Sequence, residues 1–322
     1  MAFEKPISAK ENLKRFINGN PAWMPQYSDY KVFSPELFRE NVARGFVAED
    51  VPYTGERGGT DMFGIEWEYV PQVMGSMVRP GNPKVPDITE WENYIEWPDL
   101  SKLDWEGSRA RNPHFFETDQ ILMQMVFTSF FERLISMVDM ENALIAMIDP
   151  EEQLAVHRLF DRLADYYDEL LGYFAEYYHP DLIMVHDDWG SQRAPLFSLE
   201  TVEEMVVPYM KRVVDSAHRR GLVFELHSCG KIESLVPAMI ECGVDMWCGQ
   251  PMNDKEMICR EYGNDIHIGV TPDEVAPDAP DEDLIREADR ILETYPDSIY
   301  IGMHMIKNPV FAERIYEQTA RV

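Results

Sequence analysis

Residues 222–230 read Leu-Val-Phe-Glu-Leu-His-Ser-Cys-Gly, a short apolar run that ends in polar side chains and a glycine. Side chains alternate between the two faces of a β-strand, so Glu225, His227 and Cys229 share one face while the leucines and the phenylalanine share the other. One face is apolar, as the packed side of a sheet requires. The pattern predicts a buried strand that carries an imidazole and a thiol at its carboxyl end.

The sequence around this strand repeats one arrangement from Asp181 onward, an apolar run of about six residues followed by a turn and an amphipathic helix. The predicted strands are Asp181–His186, Leu222–His227, Val244–Cys248, Asp265–Val270 and Ser298–Met303, and the predicted helices are Leu199–Arg219, Ile232–Cys242, Asp254–Tyr262, Asp281–Tyr295 and Pro309–Ala320. This alternation is typical of βα units that form a parallel sheet.

The first half of the chain is less regular but adds further strands. It contains a predicted strand at Ala22–Gln26, a helix that begins near Pro35, and a strand at Ile121–Phe127 that leads into a helical region extending to Tyr178. The total is seven or eight strands, and eight parallel strands close a barrel. A doubly wound sheet would need a G-x-G-x-x-G turn after its first strand, and the sequence has none. We therefore predict a single (β/α)8 TIM barrel over residues 1–322.

Residues 48–116 differ from the rest of the chain and predict an irregular insert, an N-terminal lobe beside the barrel mouth. They contain Gly58-Gly59, several prolines, and four tryptophans without clear periodicity: Trp67, Trp91, Trp97 and Trp105. These indoles could form a lid over the site or could anchor irregular backbone. We favour the second interpretation.

The charge of the chain excludes two classes of partner. It has 29 basic and 58 acidic residues and a formal net charge of −29, which repels nucleic acid and anionic lipid surfaces. The longest apolar tract, Ile121–Phe131, is shorter than the roughly 20 residues of a membrane span. Residues 1–20 have no apolar segment of the kind found in export signals. We expect a cytoplasmic protein without membrane or nucleic-acid partners.

Functional side chains of a closed parallel barrel collect at the carboxyl ends of its strands. His227 and Cys229 occupy such an end, and imidazole and thiolate are ligands that zinc prefers. A catalytic zinc site needs about three protein ligands and one open position. His304 and Cys248 each follow or end another predicted strand, and the residues alone leave both open as the third ligand.

Three carboxylates are candidates for acid–base chemistry. Asp187 and Asp188 follow the strand Asp181–His186, where alternation sends one toward the mouth and the other toward a helix or turn that it can cap. Glu225 lies one pleat below His227, so we expect it to partner the metal or its histidine ligand. The predicted catalytic residues are therefore Asp187, Asp188 and Glu225.

Several segments together resemble a known family. They are Glu11-Asn-Leu, Asp61-Met-Phe-Gly-Ile-Glu-Trp67, Asp187-Asp-Trp-Gly-Ser-Gln192, Pro208-Tyr-Met-Lys211, His227-Ser-Cys-Gly230, Gly243-Val-Asp245 and Asn308-Pro309. The chain is similar in these segments to the uroporphyrinogen decarboxylase-like superfamily, which includes the corrinoid-dependent methyltransferases. True decarboxylases carry an arginine motif after the first strand that binds the substrate carboxylates. Here Met24-Pro-Gln-Tyr-Ser-Asp-Tyr30 has no arginine, so we do not expect that activity.

In the methyltransferase branch, His-x-Cys and a later cysteine hold zinc. The resemblance therefore implies zinc ligation by His227 and Cys229, but Gly302-Met-His-Met305 stands where the later cysteine would be. Either His304 replaces that cysteine, or the site is altered, or the protein binds no metal. An imidazole in place of a thiolate strengthens zinc as a Lewis acid toward oxygen or nitrogen donors.

The resemblance implies an enzyme that moves a methyl group between a small molecule and a corrinoid held on a partner protein. A methyl ether or methylamine fits better than a thiol, as in O-demethylation, and Asp187, Asp188 or Glu225 would supply the proton. Two alternatives remain: a metal-assisted decarboxylase or hydrolase of a small carboxylated substrate, and a non-catalytic corrinoid-binding barrel.

Overall fold

A computed structural model describes residues 5–72, 75–273, 275–276, 279–296, 298–302 and 306–321. Its main sheet has seven parallel strands in the order β1-β5-β6-β7-β8-β9-β10. These strands are β1 (Tyr30–Phe33), β5 (Ile121–Val126), β6 (Leu182–His186), β7 (Val223–Ser228), β8 (Met246–Gly249), β9 (His267–Val270) and β10 (Ile299–Ile301). A separate antiparallel sheet contains β2 (Gly59–Thr60), β3 (Glu66–Val70) and β4 (Gly75–Val78). The strands predicted after Asp181 are all present.

The two ends of the main sheet are linked by the segment just before β1. Gln26 forms a parallel bridge with Ile301, and the Ile301 amide donates to the Pro25 carbonyl at 2.8 Å. The predicted strand Ala22–Gln26 is thus reduced to this bridge, and the regular strand begins at Tyr30 after a 3-10 turn. The α/β barrel class is confirmed, with seven regular strands in the main sheet among the described residues.

Helices surround the sheet and follow its strands along the chain. They are α1 (Ala9–Ile17), α2 (Arg39–Arg44), α3 (Trp105–Arg111), α4 (Pro113–Phe116), α5 (Phe130–Val138), α6 (Met140–Ala146), α7 (Pro150–Tyr173), α8 (Leu199–Met205), α9 (Val207–Arg219), α10 (Val236–Cys242), α11 (Lys255–Tyr262), α12 (Asp281–Thr294) and α13 (Pro309–Thr319). A π-helix, Phe174–Tyr178, extends α7.

Two of the predicted helices differ from expectation. The predicted helix Leu199–Arg219 divides at Val206, because Pro208 has no amide hydrogen and is accepted only in the first turn of a helix. A 3-10 turn precedes α10. In the part of the chain that the structure describes, no helix combines the length and the apolar character that crossing a membrane would need.

Buried indoles anchor the segment 48–116. Trp67, Trp91 and Trp105 are each at most 6% exposed. The Trp105 indole donates to the Leu100 carbonyl at 2.8 Å and stacks on Tyr173 of α7 at 4.9 Å between ring centroids. These contacts fit the interpretation that the tryptophans hold irregular backbone against the barrel helices.

Candidate metal centre

Four side chains with metal-binding atoms converge at the carboxyl ends of β6 and β7. They are His186, Asp188, His227 and Cys229, and one ligand atom from each lies within 4.8 Å of all the others. All four residues are half-buried. Two imidazoles, a thiolate and a carboxylate are the donor types found at zinc sites, so the residues present fit this metal.

The register of the sheet brings the two histidines together. His186 pairs with His227 in the parallel ladder of β6 and β7, so both side chains leave the same face of the sheet. Their rings stack with centroids 4.8 Å apart and planes inclined by 11°. The His227 Nε2 atom lies 3.6 Å from Cys229 Sγ, and His186 Nε2 lies 3.4 Å from an Asp188 oxygen.

Glu132, in the first turn of α5, supports His186 from the side opposite the cluster. Its Oε2 atom lies 2.8 Å from His186 Nδ1. Burial opposes ionisation of Glu132, but His186 and Arg44 lower its pKa to about 2. Burial likewise opposes the cationic form of His186, but the Glu132 carboxylate raises its pKa well above the ordinary value. A carboxylate behind a histidine commonly orients a metal ligand and strengthens it as a donor.

His227 is held in the neutral form that a metal ligand needs. Burial and the neighbouring His186 lower its pKa to about 3. Burial also raises the pKa of the Cys229 thiol. A bound cation would reverse that effect, because a coordinating thiol loses its proton.

The two adjacent aspartates have different surroundings. Asp187 is fully buried and accepts hydrogen bonds from the amides of Phe131 and Glu132 and from the Trp189 indole, at 2.9–3.3 Å. It thereby caps the start of α5 and fixes the backbone of Glu132, and burial raises its pKa to about 7. Asp188 accepts from the Cys229 amide at 2.6 Å and belongs to the cluster.

Glu225 lies inside the barrel and does not join the cluster. The Tyr300 hydroxyl donates to its Oε1 atom at 2.7 Å. Burial raises the pKa of Glu225 to about 7, against hydrogen bonds from Tyr300 and Cys248 that lower it. Among the described residues, Cys248 is therefore a partner of Glu225 and not a member of the four-residue cluster. The predicted ligand His304 lies outside the described residues.

A close contact between two loops keeps the cluster compact. A Cβ atom added to Gly230 would lie 2.3 Å from the carbonyl carbon of Gly190, and Gly230 has a φ of +97° that disfavours other residues. The Lys231 amide also donates to the Ser191 carbonyl at 2.8 Å. The loops after β6 and β7 therefore pack backbone against backbone beside Asp188 and Cys229.

A cleft of about 440 Å³ opens beside the cluster. Four residues supply charged groups to its lining: Arg44, Glu132, Asp139 and Asp188. The apolar part of the lining comes from the insert, from α5 and α6, and from the loop after β6: Trp67, Met77, Val78, Ile135, Met140 and Leu196. A small, largely apolar molecule could therefore reach Asp188 from solvent.

The sequence interpretation missed His186 and Glu132. His186 is the last residue of the predicted strand Asp181–His186, so it could have been recognised from the sequence as a second histidine at a strand end. Its pairing with His227 depends on a register that the intervening helices set. Glu132 gave no local signal, because nothing in α5 alone shows that this carboxylate faces the cluster.

Comparisons with known proteins agree with this fold. The sequence matches the uroporphyrinogen decarboxylase (URO-D) family over residues 57–303, while no individual curated protein matches it. A methyltransferase from Methanosarcina mazei superposes with a TM-score of 0.67 at 15% identity, covering 97% of this chain and 98% of that chain. A sugar phosphate isomerase/epimerase from Parabacteroides distasonis aligns at 9% identity over 68% of this chain and 82% of its own, with a TM-score of 0.35. The family match spans most of the sequence, and the chain therefore belongs to the uroporphyrinogen decarboxylase family.

Proposed function

We propose that this protein is a methyltransferase that moves a methyl group between a small molecule and a corrinoid carried on a separate partner protein. The observation that carries the proposal is the convergence of His186, Asp188, His227 and Cys229 beside a mainly apolar cleft. The absence of arginine from residues 24–30 argues against a porphyrinogen with many carboxylates. The shared fold with the M. mazei methyltransferase is consistent with this choice.

We assign zinc binding to His186, His227 and Cys229, and proton handling to Asp188. Asp188 is the member of the cluster that lines the cleft, so it is the one placed to meet a substrate. When bound, zinc supplies Lewis acidity toward a donor atom of the substrate. Glu132 orients His186 through the 2.8 Å contact, and Asp187 holds the start of α5 that carries Glu132.

The donor set favours an oxygen or nitrogen substrate over a thiol. A site with one thiolate is less negative than one with two, which suits a methyl ether or a methylamine. In the demethylation direction the bond from the methyl carbon to oxygen or nitrogen would break as the corrinoid accepts the methyl group, and Asp188 would supply the proton that the leaving atom takes up. The apolar part of the cleft lining would hold the hydrocarbon portion of such a substrate beside Asp188.

Metal analysis tests the site. We expect wild-type protein to bind zinc stoichiometrically, and His186→Ala, His227→Ala and Cys229→Ala to lose it. Cys248→Ala is the matched control, because Cys248 contacts Glu225 and should leave the zinc content unchanged. Loss of zinc from Cys248→Ala, with zinc kept in His186→Ala, would contradict the proposed ligand set.

A methyl-transfer assay tests the reaction. Cobalamin in its cobalt(I) state would be mixed with the wild-type protein and with methyl ethers, methylamines or methyl thioethers, and its absorbance followed. We expect methylation of cobalt with an ether or an amine, and a much slower reaction with Asp188→Asn that retains zinc. If no methylated compound changes the cobalt spectrum, the protein is better described by the non-catalytic alternative; if a carboxylated substrate releases carbon dioxide, the decarboxylase alternative is correct.

A further inference from the structure

We propose that Arg44 is a positioning residue that orients the ligand His186 through Glu132, and that Trp67 of the insert holds Arg44 in place. This inference rests on the proposed metal centre. It assigns the insert a part in shaping that centre. Arg44 is the last residue of α2, and Trp67 lies on β3 of the small sheet.

The guanidinium of Arg44 contacts both partners at once. Its carbon atom Cζ lies 4.7 Å from the centroid of the Trp67 ring, and one nitrogen lies 3.3 and 3.4 Å from the two oxygens of Glu132. The Arg44 and Glu132 side chains are only 14% and 11% exposed. Both the ion pair and the stacking are stronger in such partly desolvated surroundings than at an open surface.

The Glu132 carboxylate is shared between Arg44 and His186. Its Oε2 atom lies 2.8 Å from His186 Nδ1 and 3.4 Å from the guanidinium nitrogen. Removing the guanidinium would leave the carboxylate free to turn and would place its whole charge on the imidazole. Either change alters the direction and donor strength of His186 Nε2, the atom that faces the cluster.

The position of Trp67 is in turn held by a hydrogen bond to Asp61. Its indole nitrogen donates to an Asp61 oxygen at 2.9 Å, and the buried Arg133 donates to the same oxygen at 2.7 Å. Arg133 follows Glu132 directly in α5. The insert therefore contacts Arg133 directly, through Asp61, and reaches the preceding residue Glu132 indirectly, through the contact of Trp67 with Arg44.

Arg39 provides a matched control on the same helix. It donates to the insert carbonyls of Thr60 at 3.1 Å and Gly58 at 3.3 Å. Among the described contacts it has none with Glu132. A variant at Arg39 therefore loosens the contact between α2 and the insert without removing the partner of the metal ligand's carboxylate.

The test measures metal binding instead of turnover, on the full chain. Zinc affinity would be measured by competition with a chromogenic chelator, and the geometry of the centre by the visible absorption of cobalt(II)-substituted protein. We expect Arg44→Met to weaken zinc binding by up to roughly tenfold, the low end of the effect of losing a direct partner of a metal ligand, and to shift the cobalt bands, while Arg39→Met changes neither. Arg44→Lys, which can still pair with Glu132, should recover most of the affinity.

A double-mutant cycle tests whether Trp67 acts through Arg44. Trp67→Leu should weaken zinc binding, and combining it with Arg44→Met should give no further loss beyond Arg44→Met alone. Should Arg44→Met fail to fold, Trp67→Leu is compared with Arg39→Met instead: weaker zinc binding in Trp67→Leu alone supports the inference, and unchanged zinc binding in Trp67→Leu refutes it.

Two results would decide against the inference, and a third would decide against the proposed function. Zinc affinity within about twofold of wild type in Arg44→Met, with unchanged cobalt bands, refutes it, because an arginine that orients His186 through Glu132 must change metal binding when its guanidinium is removed. An equal loss in Arg39→Met would show that insert packing in general is responsible. Wild-type protein that binds neither metal refutes the proposed function itself, whereas normal wild-type binding with silent Arg44 variants refutes only this inference.

Discussion

Replacing Glu225 with glutamine should stabilise the protein at high pH and leave it unchanged at low pH. Burial raises the pKa of this carboxyl group from 4.5 to about 7, against hydrogen bonds from Tyr300 and Cys248. A carboxyl group with a higher pKa in the folded state than in the unfolded chain stabilises the fold in its protonated form. Its contribution is fully present below pH 4.5 and is lost as the pH rises through about 7.

The size of the effect follows from the same two values. Moving the pKa from 4.5 to about 7 makes ionised Glu225 cost about 3 kcal/mol in the folded protein. Glutamine is neutral at every pH of the experiment, and its side-chain oxygen can still accept the hydrogen bond from the Tyr300 hydroxyl, which lies 2.7 Å from the Glu225 oxygen in the wild-type structure. We therefore expect equal free energies of unfolding near pH 4.5, and a variant more stable than wild type by about 3 kcal/mol near pH 8.

Urea unfolding of chelator-treated protein, followed by tryptophan fluorescence from about pH 4.5 to about pH 8, measures this difference. Glu241→Gln is the control, because Glu241 is exposed on α10 and should not change the pH dependence. Parallel pH profiles for wild type and Glu225→Gln would show that the carboxyl group is not desolvated and would refute the argument.

Three further changes test the frame of the site. Gly230→Ala should lower the free energy of unfolding by about 3 kcal/mol or more, because the new Cβ atom would combine a φ of +97° with a 2.3 Å clash against Gly190. Gly221→Ala is the control: this glycine has a φ of +75° and no atom within 4 Å of the new Cβ, so the free energy of unfolding should fall by only about 1 kcal/mol in the same urea experiment. Lys255→Met should lower the free energy of unfolding by about 3 kcal/mol, because the buried ammonium donates hydrogen bonds to two carbonyls at the ends of β8 and β9, each at 2.9 Å. An unchanged urea midpoint would contradict this role. Trp105→Leu should lower stability by about 3 kcal/mol, since the indole is 3% exposed, and a loss below about 1 kcal/mol would show that it does not anchor the insert.

The sequence by itself was sufficient to predict the barrel and two of the four residues of the cluster as metal ligands, His227 and Cys229. Apolar runs and helical periodicity are local properties, so the strands from β6 to β10 and their helices could be predicted without knowing what they contact. The alternation of side chains along 222–230 likewise placed His227 and Cys229 at the end of one strand. The resemblance in scattered segments indicated the family, which the match over residues 57–303 confirms.

Tertiary structure decided which groups meet. The position of His186 opposite His227 depends on how the helices between β6 and β7 set the register, and no local pattern encodes that alignment. The same packing separates Asp187, which caps α5, from Asp188, which joins the cluster. The contact from Trp67 through Arg44 and Glu132 to His186 joins four distant parts of the chain. These residues lie far apart in the sequence, so they meet only when the barrel brings the strand ends and the insert together. In the unfolded chain each of these polar side chains is solvated by water instead.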